Sequence, residues 1–420
     1  MSPSPTMPGR SRAIAGWALA ACALAAPAAA GEPQAAPASP PTATERSSEE
    51  HRKAIEAIEA KYVIGPAIAE EYGLRVAWQT PPLVTRDAHA QALSASADSC
   101  WFGDSAGSVV RMRRDTGETV WRSSTNQGIE RMVNIEHLPS GRKDRVYVLT
   151  ELNSVTLDAV TGELVRKSDF SHLPSAMPAV FGPSLVYGTR TGLCCWFQYG
   201  TGYNWRATSL GGSVLAPVTV EGDRMLVGST AGAVYAMDAS TASILWTRRL
   251  AAGVEAQIAA DDKACYVAGL DQSLWAFDIQ RGRVLWQYFT TTPLRHAPTR
   301  IGEGLHLQIP GEGLVSFTPL PQDKPEGEVR WKAAVPGDVQ AQVGTELFAW
   351  EQRTHTLSAV DMVTGRVIRT SRFPRAIAVR FTAEVNGDMV VMSREGNVER
   401  LEPLAKQSAP KASASAAPAP

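Results

Sequence analysis

The sequence predicts an all-β fold, an eight-bladed β-propeller closed by an N-terminal strand and preceded by a short helical segment. Three features carry that expectation: a hairpin unit recurring every ~40–45 residues, a second series of apolar strands with the same count, and an orphan strand near each end of the array. The unit is clearest at Gly232–Trp246. Val234–Asp238 reads as a short strand, 239–242 as a turn in which Asp238 and Ser240 hydrogen-bond backbone amides, and Ser243–Trp246 as the returning strand.

The hairpin recurs at Val109–Trp121, with Asp115-Thr116-Gly117 at the turn, and at Val155–Arg166, Leu274–Trp286 and Leu357–Arg369, with Asp158, Asp278 and Asp361 and then Gly162, Gly282 and Gly365 in register. Two copies are worn. Leu193–Trp205 is one residue short after Gly202, and Leu314–Trp331 carries a proline-rich insertion, Pro319–Pro325. The terminal positions Trp78, Trp121, Arg166, Trp205, Trp246, Trp286, Trp331 and Arg369 lie 43, 45, 39, 41, 40, 45 and 38 residues apart. That spacing belongs to a propeller blade of four strands.

Each hairpin needs one more apolar strand before it. These are Cys100–Phe102, Val146–Leu149, Leu185–Tyr187, Met225–Val227, Cys265–Val267, Leu305–Leu307, Leu347–Trp350 and Met389–Met392, eight in all. The last unit ends at Asn397–Leu401 without a returning strand, and Leu74–Gln79 is a returning strand without a partner. Pairing the two closes the ring and removes an open edge.

Five segments follow: an export signal at 1–30, an Ala/Pro-rich linker at 31–45, a helical segment at 46–72, the propeller at 73–402 and an Ala/Pro/Ser-rich tail at 403–420. The signal has Arg10 and Arg12 before the apolar run Ala13–Ala21. Leu19-Ala20-Ala21-Cys22 resembles a lipobox, which makes Cys22 the lipidation candidate; cleavage after Ala30 is the alternative. Both readings take the protein out of the cytoplasm, to the periplasm or, lipid-anchored, to the outer membrane. Ser47–Glu50 offers a capping box for a helix with Ile55, Ile58 and Tyr62 on one face, broken at Gly65-Pro66 and read as a lid on the propeller rim.

A formal charge of −1 and 44 % hydrophobic residues exclude wholesale disorder and point away from nucleic acid. His51, His89, His137, His172, His296, His306 and His355 show no metal-ligand spacing, and there is no Gly-Lys-Ser loop or Gly-x-Ser-x-Gly elbow. Cys100 and Cys265 stand in equivalent strands four blades apart, too far for a disulfide. The turns between blades are basic, and Arg248, Arg249, Arg295, Arg372 and Arg375 with Phe289 and Phe373 are the partner-binding candidates, against the alternative of a solvated rim.

The Asp-x-x-Thr-Gly-x-x-x-Trp hairpins resemble the repeats of the pyrroloquinoline quinone (PQQ) propeller superfamily. In its quinoprotein alcohol dehydrogenases two adjacent disulfide-linked cysteines stack over the cofactor, beside a calcium held by carboxylate and amide ligands. Cys194-Cys195 is the corresponding pair here, but it lies in the strand Leu193–Phe197, where successive side chains point to opposite faces. Its thiols are therefore expected to be reduced and inert, and no residue is assigned to catalysis, cofactor or metal. The chain is most similar to the non-enzymatic branch of the superfamily, the outer-membrane assembly lipoproteins of the BamB type. That resemblance covers about 74–402 and implies a cell-envelope scaffold that binds protein partners; the alternative is a PQQ- and calcium-dependent oxidoreductase.

Overall fold

In a computed structural model, residues 52–125, 130–138 and 144–404 are described. The expected export signal, Cys22, the linker, the capping box and the tail after Leu404 lie outside them. The chain divides into two units, 1–52 and 53–420, and the fold is that of the second.

Among the described residues, thirty-two strands form eight antiparallel four-stranded sheets. Blades 1 to 7 each use four consecutive strands. Blade 8 takes three from the C-terminal end, Ala376–Phe381, Met389–Ser393 and Val398–Pro403, and its outer strand Leu74–Gln79 from the N-terminal side. Leu74 stands opposite Pro403 and Gln79 opposite Glu399, so both ends of the ring share one sheet. All eight apolar segments anticipated from sequence are second strands of blades. The innermost strands had no reading of their own, because several are only two or three residues long, such as Ala259–Ala260 and Thr219–Glu221.

Neighbouring blades are joined by a repeated contact. The Trp246 indole lies against Gly282 in the next blade's outer turn, and its Nε1 donates to Ile279 O at 3.0 Å. A Cβ on Gly282 would stand 2.6 Å from the ring, and its φ of +65° suits glycine, so the turn glycine makes room for the indole. The same donation links Trp78 to Arg114 O, Trp121 to Ala159 O, Trp286 to Pro319 O and Trp331 to Met362 O. Pro319 belongs to the proline-rich insertion, whose Pro325 O also accepts from Gln287 N at 2.8 Å. The Asp residues hold the same turns: Asp238 Oδ1 accepts from Ser240 N at 3.0 Å and Thr241 N at 2.7 Å.

Blade 3 corrects the sequence register. Arg206, not Trp205, stands opposite Trp196 where Trp246 stands opposite Ala236 in blade 4. The residue missing after Gly202 is thereby accounted for, and the docking position of blade 3 is an arginine. Trp196, one strand inward, takes over the indole's role and donates to Ala239 O at 3.0 Å. Trp205 remains 37 % exposed, with Nε1 bonded to Ser184 Oγ.

Blade 7 meets blade 8 differently. Blade 8 has no third-to-fourth-strand turn, since those strands come from opposite chain ends, and Arg369 holds blade 7's docking position. A strap formed by residues 60–73, including the helix Pro66–Glu71, fills the seam. Val63, Ile64, Ala69 and Tyr72 are buried there with Phe348, Leu357, Phe373 and Leu401. The Tyr72 ring lies 5.9 Å from Phe348 and 6.1 Å from Phe373, with Arg369 stacked over it at 5.3 Å, and its hydroxyl donates to Leu357 O at 2.9 Å. The rim-packing element is therefore this strap. The helical residues before it leave Ile55 and Ile58 exposed, because Val63 and Ile64 already fill the seam.

In all eight blades the pairing of the third and outer strands slips by one residue next to the docking position, as between Ala236 and Met237 in blade 4. Each slip is a β-bulge that twists the exposed outer edge.

Candidate docking face

Two sets of loops share one end of the ring: the turns joining second to third strands, and the connections that lead from each outer strand to the next blade. Backbone bonds tie them together, as in Phe170 N to Leu152 O, Leu210 N to Gly192 O, Leu250 N to Gly232 O and Thr290 N to Gln272 O. This is the face on which the basic turns were expected to meet a partner.

Most of those arginines are engaged within the fold. Arg248 donates from Nη2 to Arg281 O at 3.1 Å and from Nε to Gly282 O, fastening blade 4 to blade 5. Arg295 pairs with Glu255. Arg372 Nε donates to Thr354 O at 3.0 Å. Arg375 reaches the strap, donating to Ala60 O and to Tyr62 O at 2.8 Å. Phe373 is buried in the blade 7–8 seam against Tyr72, so it offers nothing to a partner. Arg249 is exposed, and Phe289 is 71 % exposed. The seven residues fall into three groups: Arg248 and Arg249 end the outer strand of blade 4, Phe289 and Arg295 lie at the end of blade 5 and its exit, and Arg372, Phe373 and Arg375 at those of blade 7.

The face does carry a groove, between blades 2 and 3. It encloses about 710 Å³ and is lined by Arg131, Val133, Leu152, Arg190 and the stretch Phe170–Ala176, among others. Phe170 lines it and packs edge-on against Tyr187 at 5.4 Å and Phe197 at 5.0 Å, both buried behind it. Its wall is fixed by Ser175, whose N–H donates to Gly188 O at 2.9 Å and whose hydroxyl donates to Gly188 O at 2.8 Å. Val133, Leu152 and Leu173 remain 39 %, 45 % and 51 % exposed around it. Arg131 pairs with Glu151 at 4.0 Å beside the same opening. These residues had no reading at the sequence level. The available signal was Leu173 in a proline-containing connection, an apolar side chain with no strand to bury it.

The cysteine pair takes no part in the groove. Cys194 and Cys195 are free and fully buried on opposite faces of blade 3. Cys194 packs with Val214 and Met225, Cys195 with Tyr147 and Tyr187. Burial raises both thiols, that of Cys195 to about 12. A vicinal disulfide would have to pull one of them through the sheet, so the pair does not fit the quinone-stacking role. Among the described residues no three His, Cys, Asp or Glu side chains gather as metal ligands.

A family model described as outer membrane protein assembly factor BamB matches residues 185–320. Of the solved structures, BamB from Moraxella catarrhalis superposes with a TM-score of 0.60 at 17% identity, over 78% of this chain and 97% of that one. The computationally designed Ika8 protein superposes with a TM-score of 0.60 at 14% identity, over 76% of this chain and 98% of that one. No curated protein matches. At these identities the likeness is one of fold.

Proposed function

From the premise that this chain is a propeller of PQQ-like repeats organised as in BamB, we propose that it is a non-enzymatic scaffold of the cell envelope that holds a protein partner on its loop face. The observation that carries the reading is the groove between blades 2 and 3, lined by Phe170 and ringed by the exposed aliphatic side chains Val133, Leu152 and Leu173. Exposed apolar surface gathered at a groove is costly to leave in water and marks an interaction site. The apolar run Ala13–Ala21 behind Arg10 and Arg12 supports export to the periplasm, and Cys22 supports a lipid anchor at the outer membrane. BamB, an assembly factor by its family's description, makes a component of outer-membrane protein assembly the first partner to test.

A photo-crosslinking residue placed at Leu173 tests this in intact cells. The expected product is a discrete conjugate with an envelope protein, absent when the probe stands at Ile244 on the outer rim and lost in a Leu152→Glu variant that melts normally. Equal labelling from both positions removes the docking reading. Titration with quinone and calcium, followed by absorbance, tests the oxidoreductase alternative, and saturable binding would revive it.

A further inference from the structure

The strap hangs from a carboxyl group that the docking reading does not use. Glu399, in the third strand of blade 8, is fully buried. Its Oε2 accepts the Val63 N–H at 2.8 Å and the Ile64 N–H at 3.3 Å. Its Oε1 has no hydrogen-bond partner among the described residues, and neither has the buried Oε2 of Glu59. The other Glu59 oxygen accepts the Ala67 N–H at 2.9 Å, at the start of the strap helix. Gly65 lies so close to this carboxyl that a Cβ would stand 1.4 Å from Oε2. Gln79 of the closing strand shares the Val63 N–H at 2.9 Å and donates to Lys61 O at 2.9 Å. Arg375, from the connection into blade 8, holds the Ala60 and Tyr62 carbonyls.

The charged groups facing Glu399 are Arg375 from that connection and Glu59 from the N-terminal helical residues. Within the sheet its cross-strand neighbours are uncharged, Gln79 on one side and Val391 on the other. A buried carboxylate is tolerated when donors satisfy both oxygens. Here one oxygen lacks a donor and a second carboxylate opposes the charge, so the neutral acid suits the site and the anion does not.

We propose that the strap is a pH-operated latch: neutral Glu399 keeps residues 60–64 docked on blade 8, and its ionisation loosens them from the ring. Burial, the largest cause, and Glu59 raise the group to about 8 from an ordinary 4.5, against the Val63 and Ile64 amides and Arg375. A released strap returns Glu399 to water and to its ordinary value, so between those two values the docked state holds more proton than the released one. Docking is therefore strongest on the acid side. It weakens as pH rises towards the docked-state value, by up to about tenfold per pH unit, and levels off above it.

Hydrogen exchange of the full chain, corrected for intrinsic rates, tests the latch at about pH 6 and about pH 8.5. Protection of the Val63 and Ile64 amides is expected to fall at least about tenfold between the two, while that of Val267 in blade 5 stays level. Glu399→Gln, uncharged at both, should hold the acid-side protection throughout. Glu59→Gln should move the transition to lower pH. Equal wild-type protection at both pH values overturns the latch, and so does pH dependence that persists in Glu399→Gln. If that variant does not fold, a carboxyl-carbon NMR titration of wild-type Glu399 decides: a midpoint in the ordinary carboxylate range overturns the proposal, and one near neutrality or above supports it.

Discussion

Trp246 and Gly282 show how much of the ring rests on one pair of residues repeated. Truncating a buried indole leaves a cavity, so Trp246→Ala should cost ~3–5 kcal/mol in urea denaturation. Trp205, more than a third exposed, should cost markedly less, although the two look alike in the sequence. Their difference follows from a single register position, and a worn repeat gives no way to tell a docking indole from its neighbour until the strands are paired. The turn aspartates were legible for the opposite reason, since Asp238 acts on amides two and three residues away. Hydrogen bonds from Ser240 and Thr241 lower its carboxyl to about 2, from an ordinary 3.8. A depressed folded-state value stabilises above the unfolded one and is lost as pH falls, so the blade 4 turn should loosen between about pH 4 and pH 2, and Asp238→Asn should flatten that limb of the acid-unfolding curve. Cys194 and Cys195 should resist alkylation in the native protein and both react in denaturant without reductant, which intact mass would show; failure to react in denaturant would mean a disulfide.

At the scale of elements, the strap and the closing strand separate two roles that the sequence presents as one stretch. Removing residues up to 72 should lower the melting temperature by opening the blade 7–8 seam while the ring stays closed. Removing residues up to 80 also takes away the outer strand of blade 8, exposing an unpaired edge, and should cause aggregation. A synthetic peptide spanning 60–80 added in trans should restore solubility to the longer truncation, as light scattering can follow. Reversing Arg375 should destabilise the protein, because that side chain holds two strap carbonyls, whereas reversing exposed Arg249 should change stability by less than about 0.5 kcal/mol. The closing strand was readable because a returning strand without a hairpin is conspicuous. The strap's anchor was not, since Val63 and Glu399 stand 336 residues apart and nothing near either one announces the other.

For the whole molecule, eight similar units make the fold legible and the site obscure. Repeats multiply the evidence for strands, turns and blade count, so each copy checks the others. A docking surface is where the copies differ, and single positions such as Leu152 and Leu173 carry no pattern to compare. The basic residues drew attention for their charge, yet most are engaged within the fold or stand apart. The outer rim exposes aliphatic side chains in several blades, among them Leu164, Ile244 and Val284. The neighbouring bulges make those edges poor templates for another strand.

The shared sheet of blade 8 also sets an order in time. Its outer strand is made before any blade, and the strands it must pair with are made last, so throughout synthesis the ring has no means of closing. A chain of this design stays open until its last strand has been made. Closing so long a loop makes the final step slow. Refolding monitored by tryptophan fluorescence should show blade formation first and ring closure as a separate late phase, which shortening the chain to residue 397 would abolish.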